Sequence, residues 1–121
     1  FGEVILACAE GTLDEIDWPK PKLNALGVVI SSGGYPDKFN IGYEIKGTEK
    51  SFPSTYVYHA GTKLNSVGDL ITSGGRVLTV VGIAESLQKA KDLAYDRAKL
   101  ISFTDAFYRK DIGDKSLKGD K

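Results

Sequence analysis

Two uninterrupted apolar runs dominate the chain, and each of them predicts a β-strand. The first lies within residues 23–32, and the second covers residues 77–84. The continuous run at residues 77–81, rich in β-branched residues, is typical of a strand that is covered on both faces. Three shorter strands are predicted between them: residues 55–60, 63–66 and 69–73. Because the connections within this cluster are too short for parallel crossovers, we expect antiparallel pairing.

A helical pattern follows the second long strand. Ser86 is a favourable N-cap, and the apolar residues after it recur at helical spacing over about four turns. The stripe consists of Leu87, Ala90, Leu93, Ala94, Ala98, Leu100 and Ile101. Charged residues occupy the rest of this helix and predict a solvated face. Together the patterns predict an α+β domain in which one long helix lies across an antiparallel sheet.

The first residues of the chain already lie inside an apolar helical pattern. The residues at helical spacing are Phe1, Val4, Ile5 and Cys8. No capping residue precedes them, and Gly11 is a natural helix stop. We interpret residues 1–13 as the end of a helix that continues from an upstream region, with Cys8 as a small buried hydrophobic residue. Residues 14–113 then form the domain, and residues 114–121 form a charged, frayed tail.

The composition is that of an ordinary globular domain. The 121 residues are 41% hydrophobic and 26% charged, and the 16 basic residues balance the 16 acidic ones. A balanced chain has no long-range field to attract nucleic acid or an anionic membrane, so neither is an expected partner. No apolar run approaches the roughly 20 residues of a membrane span. A single cysteine is compatible with a reducing compartment, and the expected location is the cytoplasm.

The sequence Ser-Gly-Gly occurs twice, at residues 32–34 and 73–75. Paired glycines allow a tight turn and a close approach of the backbone to a neighbour. The second turn places Arg76 directly before a buried strand, where a guanidinium can hold a carboxylate or phosphate through two hydrogen bonds. Alternatively, Arg76 pairs with a nearby acidic side chain or is solvated. The flanks of the two turns differ, so they do not form a repeat, and the sequence leaves open whether they face the same cleft.

No catalytic or metal-binding motif accompanies these turns. The single histidine, His59, lies at the end of a predicted strand, where it is either structural or lines a pocket. One histidine without further ligands at suitable spacing predicts no zinc site. The chain also lacks a Walker-type phosphate loop and a dinucleotide-binding glycine fingerprint. We therefore predict neither a catalytic nor a metal-binding residue.

Six short blocks, taken in order, carry a resemblance to a known family. The blocks are residues 32–36, Gly42 with Ile45 and Gly47, residues 59–62, residues 73–78, residues 94–95 and residues 108–113. Their order and spacing resemble the C-terminal domain of the phosphoribosylamine–glycine ligases, also called glycinamide ribonucleotide synthetases. The resemblance covers residues 1–113, which is nearly the whole chain.

The resemblance implies a function in the second step of purine biosynthesis. In this family ATP and Mg²⁺ activate the glycine carboxylate, and 5-phosphoribosylamine attacks it to give glycinamide ribonucleotide, ADP and phosphate. The ATP and metal sites belong to an upstream ATP-grasp region of the same polypeptide, so a fragment without that region is not expected to be catalytic. The implied fold of this domain is a small antiparallel barrel- or sandwich-like sheet with a helix packed across it.

The resemblance also favours a substrate-binding role for the glycine turns. A basic turn in this region grips substrate phosphate in related ATP-grasp enzymes of purine synthesis. The residues expected to contact the substrate are Arg76, Gly74, Gly75, His59, Gly34 and Tyr35.

A non-catalytic β-rich binding or packing module is the alternative. A biotinyl carrier, for example, presents a modifiable lysine in a tight hairpin, usually between methionines. The chain contains no methionine, and no hairpin lysine of this kind is apparent.

Overall fold

A computed structural model describes residues 1–18 and 20–119 of the chain. The helices are α1 (Gly2–Glu10), α2 (Leu87–Ala98) and α3 (Asp114–Lys118), and a single 3-10 turn covers Leu13–Glu15. The strands are β1 (Asn24–Ser31), β2 (Thr55–His59), β3 (Thr62–Leu64), β4 (Leu70–Thr72) and β5 (Arg76–Ala84). The predicted α+β class is confirmed, and each of the five predicted strands is present with ends shifted by at most two residues.

The central sheet contains three antiparallel strands in the order β1-β5-β2, and β3 pairs with β4 in a separate hairpin. The antiparallel pairing predicted from the short connections is therefore confirmed. Within the described residues the sheet is open and does not close into the expected barrel. β1 and β2 form its two edges, and most of the segment between them (residues 32–54) runs as loop with only isolated bridges.

The helix α2 covers one face of this sheet. On that face Val28 pairs with Val80 and Ile30 pairs with Leu78, and all four side chains are fully buried. Gly82 lies under the helix, where an added Cβ would come within 2.7 Å of the Ala94 backbone nitrogen. The close approach of helix and strand therefore requires a residue without a side chain at this point.

The predicted start of the helix and most of its apolar stripe agree with α2, but the helix ends at Ala98, three residues before the end of the predicted stripe. The hydroxyl of Ser86 accepts a hydrogen bond from the Lys89 backbone N–H at 3.2 Å, which is the predicted cap. The buried residues of the stripe are Ala90, Ala94 and Ala98, and Ile101 is buried just beyond the end of the helix. Leu100 is exposed instead, because the helix ends at Ala98 and the helical spacing of the stripe ends with it.

The two ends of the chain differ from the sequence predictions. The helix α1 ends at a left-handed Gly11, as predicted, but Cys8 is exposed and Ala7 is buried in its place. The buried assignment of Cys8 is wrong because α1 packs chiefly against the 3-10 turn and turns much of its apolar surface outward. At the other end, residues 114–118 of the predicted frayed tail form α3, whose Asp114 pairs with Lys91 of α2. Residues 120 and 121 lie outside the described part.

None of the helices in the described residues is long and apolar enough to cross a membrane.

Candidate functional site

The two Ser-Gly-Gly turns lie against each other at one end of the sheet. The backbone N–H of Ser32 donates to the Gly75 carbonyl at 2.7 Å, and the Ser32 hydroxyl donates to the Gly74 carbonyl at 2.9 Å. Ser32 is itself buried. These two bonds join the turn after β1 to the turn before β5. The turns therefore share one site, which answers the question that the sequence left open.

A β-bulge sets the direction of Arg76. Ile30 pairs with Leu78, but the next residue of β1, Ser31, pairs with Arg76, so that Val77 is an extra residue in β5. Bulges of this kind bend a strand and redirect its side chains. Val77 and Leu78 are consequently both buried although they are adjacent, while Arg76 is exposed.

Tyr35 forms the wall next to this arginine. A Cβ added at Gly75 would lie 2.6 Å from Cε2 of Tyr35, so the tyrosine ring rests directly on the glycine backbone. Phe39 supports the ring from the side, edge to face at 6.0 Å between centroids. Gly34, directly before Tyr35, has φ 93°, a conformation that favours glycine, and it thereby allows the turn that delivers the tyrosine.

Arg76 and Tyr35 lie between two adjoining cavities, which we call together the arginine cleft. One cavity has a volume of about 530 Å³ and is bordered by Gly75 and Thr79. The other has a volume of about 320 Å³, and its lining is mostly apolar with Arg109 at the rim. Because Val29 and Thr79 pair in the sheet and line the first cavity, the cleft opens on the sheet face opposite α2.

Arg76 carries the uncompensated charge of the cleft. Among residues 1–18 and 20–119 no acidic side chain forms a salt bridge with it. Arg109 differs, because its Nε and Nη2 donate to the two carboxylate oxygens of Asp111 at 2.9 and 2.6 Å. These bonds raise the pKa of Arg109 and lower the pKa of Asp111. Of the two alternatives to ligand binding, pairing with an acidic residue is therefore not observed for Arg76 in the described chain.

The remaining predicted residues have other surroundings. Gly74 packs against the backbone of Gly61, where a Cβ on Gly61 would lie 2.8 Å from the Gly74 Cα atom. His59 pairs in register with Leu78, whose side chain is buried beneath α2. Because paired residues of an antiparallel sheet lie on the same face, His59 lies on the α2 face, opposite the arginine cleft. Its Nδ1 lies 3.1 Å from the Thr62 hydroxyl. The structure thus brings together Tyr35, Gly75 and Arg76, with Gly34 and Gly74 behind them, and separates His59.

Ser32 and Arg97 are the polar residues that sequence reasoning did not single out individually. The hydroxyl of Ser32 belongs to a recognised glycine turn, but its partner is 42 residues away in the sequence. Arg97 is buried on α2 and binds the Gly47 and Thr48 carbonyls. The sequence signal for its burial is its position on the helix, next to Ala98 of the apolar stripe.

The fold and the site define a small α+β domain with a basic glycine turn at the end of an open antiparallel sheet. The family described as "Phosphoribosylglycinamide synthetase, C domain" matches residues 25–115. The chain belongs to this family, which confirms the resemblance found in the sequence.

Several relatives carry names that agree with this family. The chain is 43% identical over 115 residues to a phosphoribosylamine–glycine ligase of Nostoc, covering 92% of this chain and 27% of that protein. It is 41% identical over 117 residues to a bifunctional purine biosynthetic protein of Dictyostelium discoideum, covering 95% of this chain and 14% of the relative. The chain thus spans only a fraction of the length of these relatives.

A solved structure shows the same fold. The crystal structure of phosphoribosylamine–glycine ligase from Thermotoga maritima matches with a TM-score of 0.72 and 34% sequence identity. The match covers 89% of this chain and 27% of that chain.

Proposed function

We propose that this chain is the C-terminal domain of an ATP-dependent phosphoribosylamine–glycine ligase, which joins glycine to 5-phosphoribosylamine in purine biosynthesis. The observation that carries the proposal is the arginine cleft, in a domain of this family, with a guanidinium that has no acidic partner in the described residues. The partner in catalysis is an ATP-grasp region of the same polypeptide. Relatives of this chain include both the ligase alone and bifunctional purine proteins.

ATP and Mg²⁺ are assigned to that other region. The described residues contain no group of three or more His, Cys, Asp or Glu side chains placed to hold a metal ion. In this proposal ATP and Mg²⁺ bind mainly outside this chain, and the residues of the arginine cleft act on the substrate.

In this proposal Arg76 binds the phosphate of phosphoribosylamine. A guanidinium presents parallel N–H donors that match two phosphate oxygens, and a charge-assisted pair of this kind is stronger than a neutral hydrogen bond. Ser32 donates hydrogen bonds to the carbonyls of Gly74 and Gly75, the two residues before Arg76. These bonds fix the backbone that carries Arg76 before the substrate binds. Tyr35 and Gly75 form the adjacent wall, where the ribose would lie.

Gly34 and Gly74 support this wall through the shape of their turns, and His59 is the least favourable of the six candidates. A contact between His59 and the same substrate would have to reach around the edge strand β2, because its register partner Leu78 lies under α2.

Steady-state kinetics of the full-length enzyme test the proposal. With phosphoribosylamine varied at saturating ATP and glycine, Arg76→Ala should lower kcat/KM for phosphoribosylamine by about 10- to 150-fold, the value of one charged hydrogen-bonding contact. Arg109→Ala is the matched control, because this arginine also borders the cleft but is neutralised by Asp111. Equal losses in both variants, or none in a folded Arg76→Ala enzyme, would contradict the role of Arg76. An inactive wild-type protein would contradict the ligase assignment itself.

The alternative of a packing module makes a different prediction. If Arg76 only supported the fold, Arg76→Ala would destabilise the domain and affect all substrates alike.

A further inference from the structure

A second basic cavity lies away from the arginine cleft, between the loop after Gly47, the edge strand β2 and the helix α2. Its volume is about 320 Å³. The polar lining combines three basic side chains with four side chains that carry a hydroxyl: Lys50, His59, Arg97, Thr48, Ser51, Thr55 and Tyr56. We call it the loop cavity. No acidic side chain lines it among the residues that the structure describes.

Arg97 is the most informative residue of the loop cavity. Only 2% of its surface is exposed. Its Nη1 donates to the Gly47 carbonyl at 2.8 Å, and its Nη2 donates to the Thr48 carbonyl at 2.7 Å. Within residues 1–18 and 20–119 it forms no salt bridge with a carboxylate. Arg97 is therefore a buried cation whose hydrogen bonds reach only neutral acceptors.

Such an arrangement favours an anion in the adjoining space. Buried charges in proteins are normally paired, because a neutral acceptor returns only part of the hydration energy that a cation loses. Lys50 lines the same cavity and adds to its positive potential instead of reducing it. Glu49, between Thr48 and Lys50 in the sequence, is exposed and does not line the cavity. Its Oε2 atom accepts a hydrogen bond from the Thr48 hydroxyl at 3.3 Å.

We propose that the loop cavity is a binding site for a phosphate group, separate from the arginine cleft. Arg97 and Lys50 supply the charge, and the hydroxyl of Ser51 supplies a neutral donor for a further phosphate oxygen. This combination of guanidinium, ammonium and hydroxyl donors is the chemistry that binds phosphate in proteins. The site does not depend on the ligase assignment, because none of its residues lines the arginine cleft.

A titration of the protein with inorganic phosphate, followed by NMR, tests this site. The measurement is made in the Arg76→Ala variant, so that binding at the arginine cleft does not contribute. We expect saturable shifts of the backbone amides of residues 48–51 and of the His59 ring. Sodium chloride at the same ionic strength should not reproduce them.

Lys50→Ala should then weaken phosphate binding by about tenfold or more, the loss expected for one charged contact. Lys50 is exposed, so this variant should fold even where an Arg97 variant does not. Lys46→Ala is the matched control, because Lys46 is an exposed lysine of the same segment that pairs with Glu44 outside the cavity. Shifts that grow linearly without saturation, shifts that chloride reproduces, or an equal loss in both lysine variants would each overturn the proposal.

Discussion

Arg76 and Arg97 are the same residue type in opposite surroundings. Comparing them shows how an exposed arginine of a cleft differs from a buried arginine that also supports the fold. Arg76 is exposed beside a cleft, and no acidic side chain of the described chain pairs with it. Arg97 is buried and binds two carbonyls of a loop that is 49 and 50 residues away in the sequence. Replacing Arg76 should therefore change ligand binding with little change in stability, whereas replacing Arg97 should change stability in addition to phosphate binding at the loop cavity. An arginine's burial and hydrogen-bond partners, more than its presence near a motif, indicate whether it also supports the fold.

The largest effect is expected for Arg97→Ala on stability. The variant removes two charge-assisted hydrogen bonds and leaves the Gly47 and Thr48 carbonyls without these donors, so we expect a loss of about 2–4 kcal/mol in the free energy of unfolding. Arg76→Ala, an exposed change, should stay within about 0.5 kcal/mol of the wild type. Urea unfolding of the two variants checks the difference. A similar loss in both would remove the distinction drawn between the two arginines.

The next effect concerns the contact between Gly75 and Tyr35. A methyl group at Gly75 has no space unless the tyrosine ring moves, so Gly75→Ala should cost about 1–3 kcal/mol in the free energy of unfolding. Adding Tyr35→Ala should recover much of this loss, because the clash is relieved in the double variant. A double-mutant cycle by urea unfolding measures the coupling. Strictly additive losses would show that the ring does not rest on Gly75.

Ser32→Ala should have a smaller effect, about 1 kcal/mol, because one hydroxyl bond to the Gly74 carbonyl is lost while the backbone bond to Gly75 remains. If Ser32 positions the turn, KM for phosphoribosylamine should rise more than KM for glycine in the full-length enzyme. Ser66→Ala, at an exposed turn position, is the control. Equal changes for both substrates would make Ser32 a purely structural residue.

The smallest effect is the pH dependence of the Arg109–Asp111 pair. Arg109 lowers the pKa of Asp111, so this pair stabilises the fold at pH values above the ordinary aspartate pKa. The contribution is lost as the pH falls through the lowered pKa of the folded state. Both side chains are largely exposed, so the change in stability should be small. NMR titration of the Asp111 carboxyl should show its pKa returning toward the ordinary range in Arg109→Ala, and an unchanged pKa would show that Arg109 is not its cause.

Local patterns in the sequence predicted the elements but not how they meet. The apolar runs, the Ser86 cap and the Gly11 stop depend on neighbouring residues, and these predictions are confirmed. The direction of Arg76 depends on a bulge in the pairing of β1 with β5, which only the folded register creates. For the same reason the sequence could not place His59 on the opposite face. It could not identify the buried Arg97 either, because the partners of this residue lie in a distant loop.

The central claim is that the guanidinium of Arg76 binds the phosphate of the substrate. It is tested most directly by calorimetric binding of glycinamide ribonucleotide and of the same compound without its phosphate, each to full-length wild type and Arg76→Ala. The ratio of the two affinities, with and without the phosphate, should be at least about 10-fold larger for the wild type than for Arg76→Ala. Removing the phosphate and removing the guanidinium both abolish the same contact, so the variant should gain little from the phosphate. An equal preference in both proteins would show that the phosphate binds elsewhere, and would contradict the account.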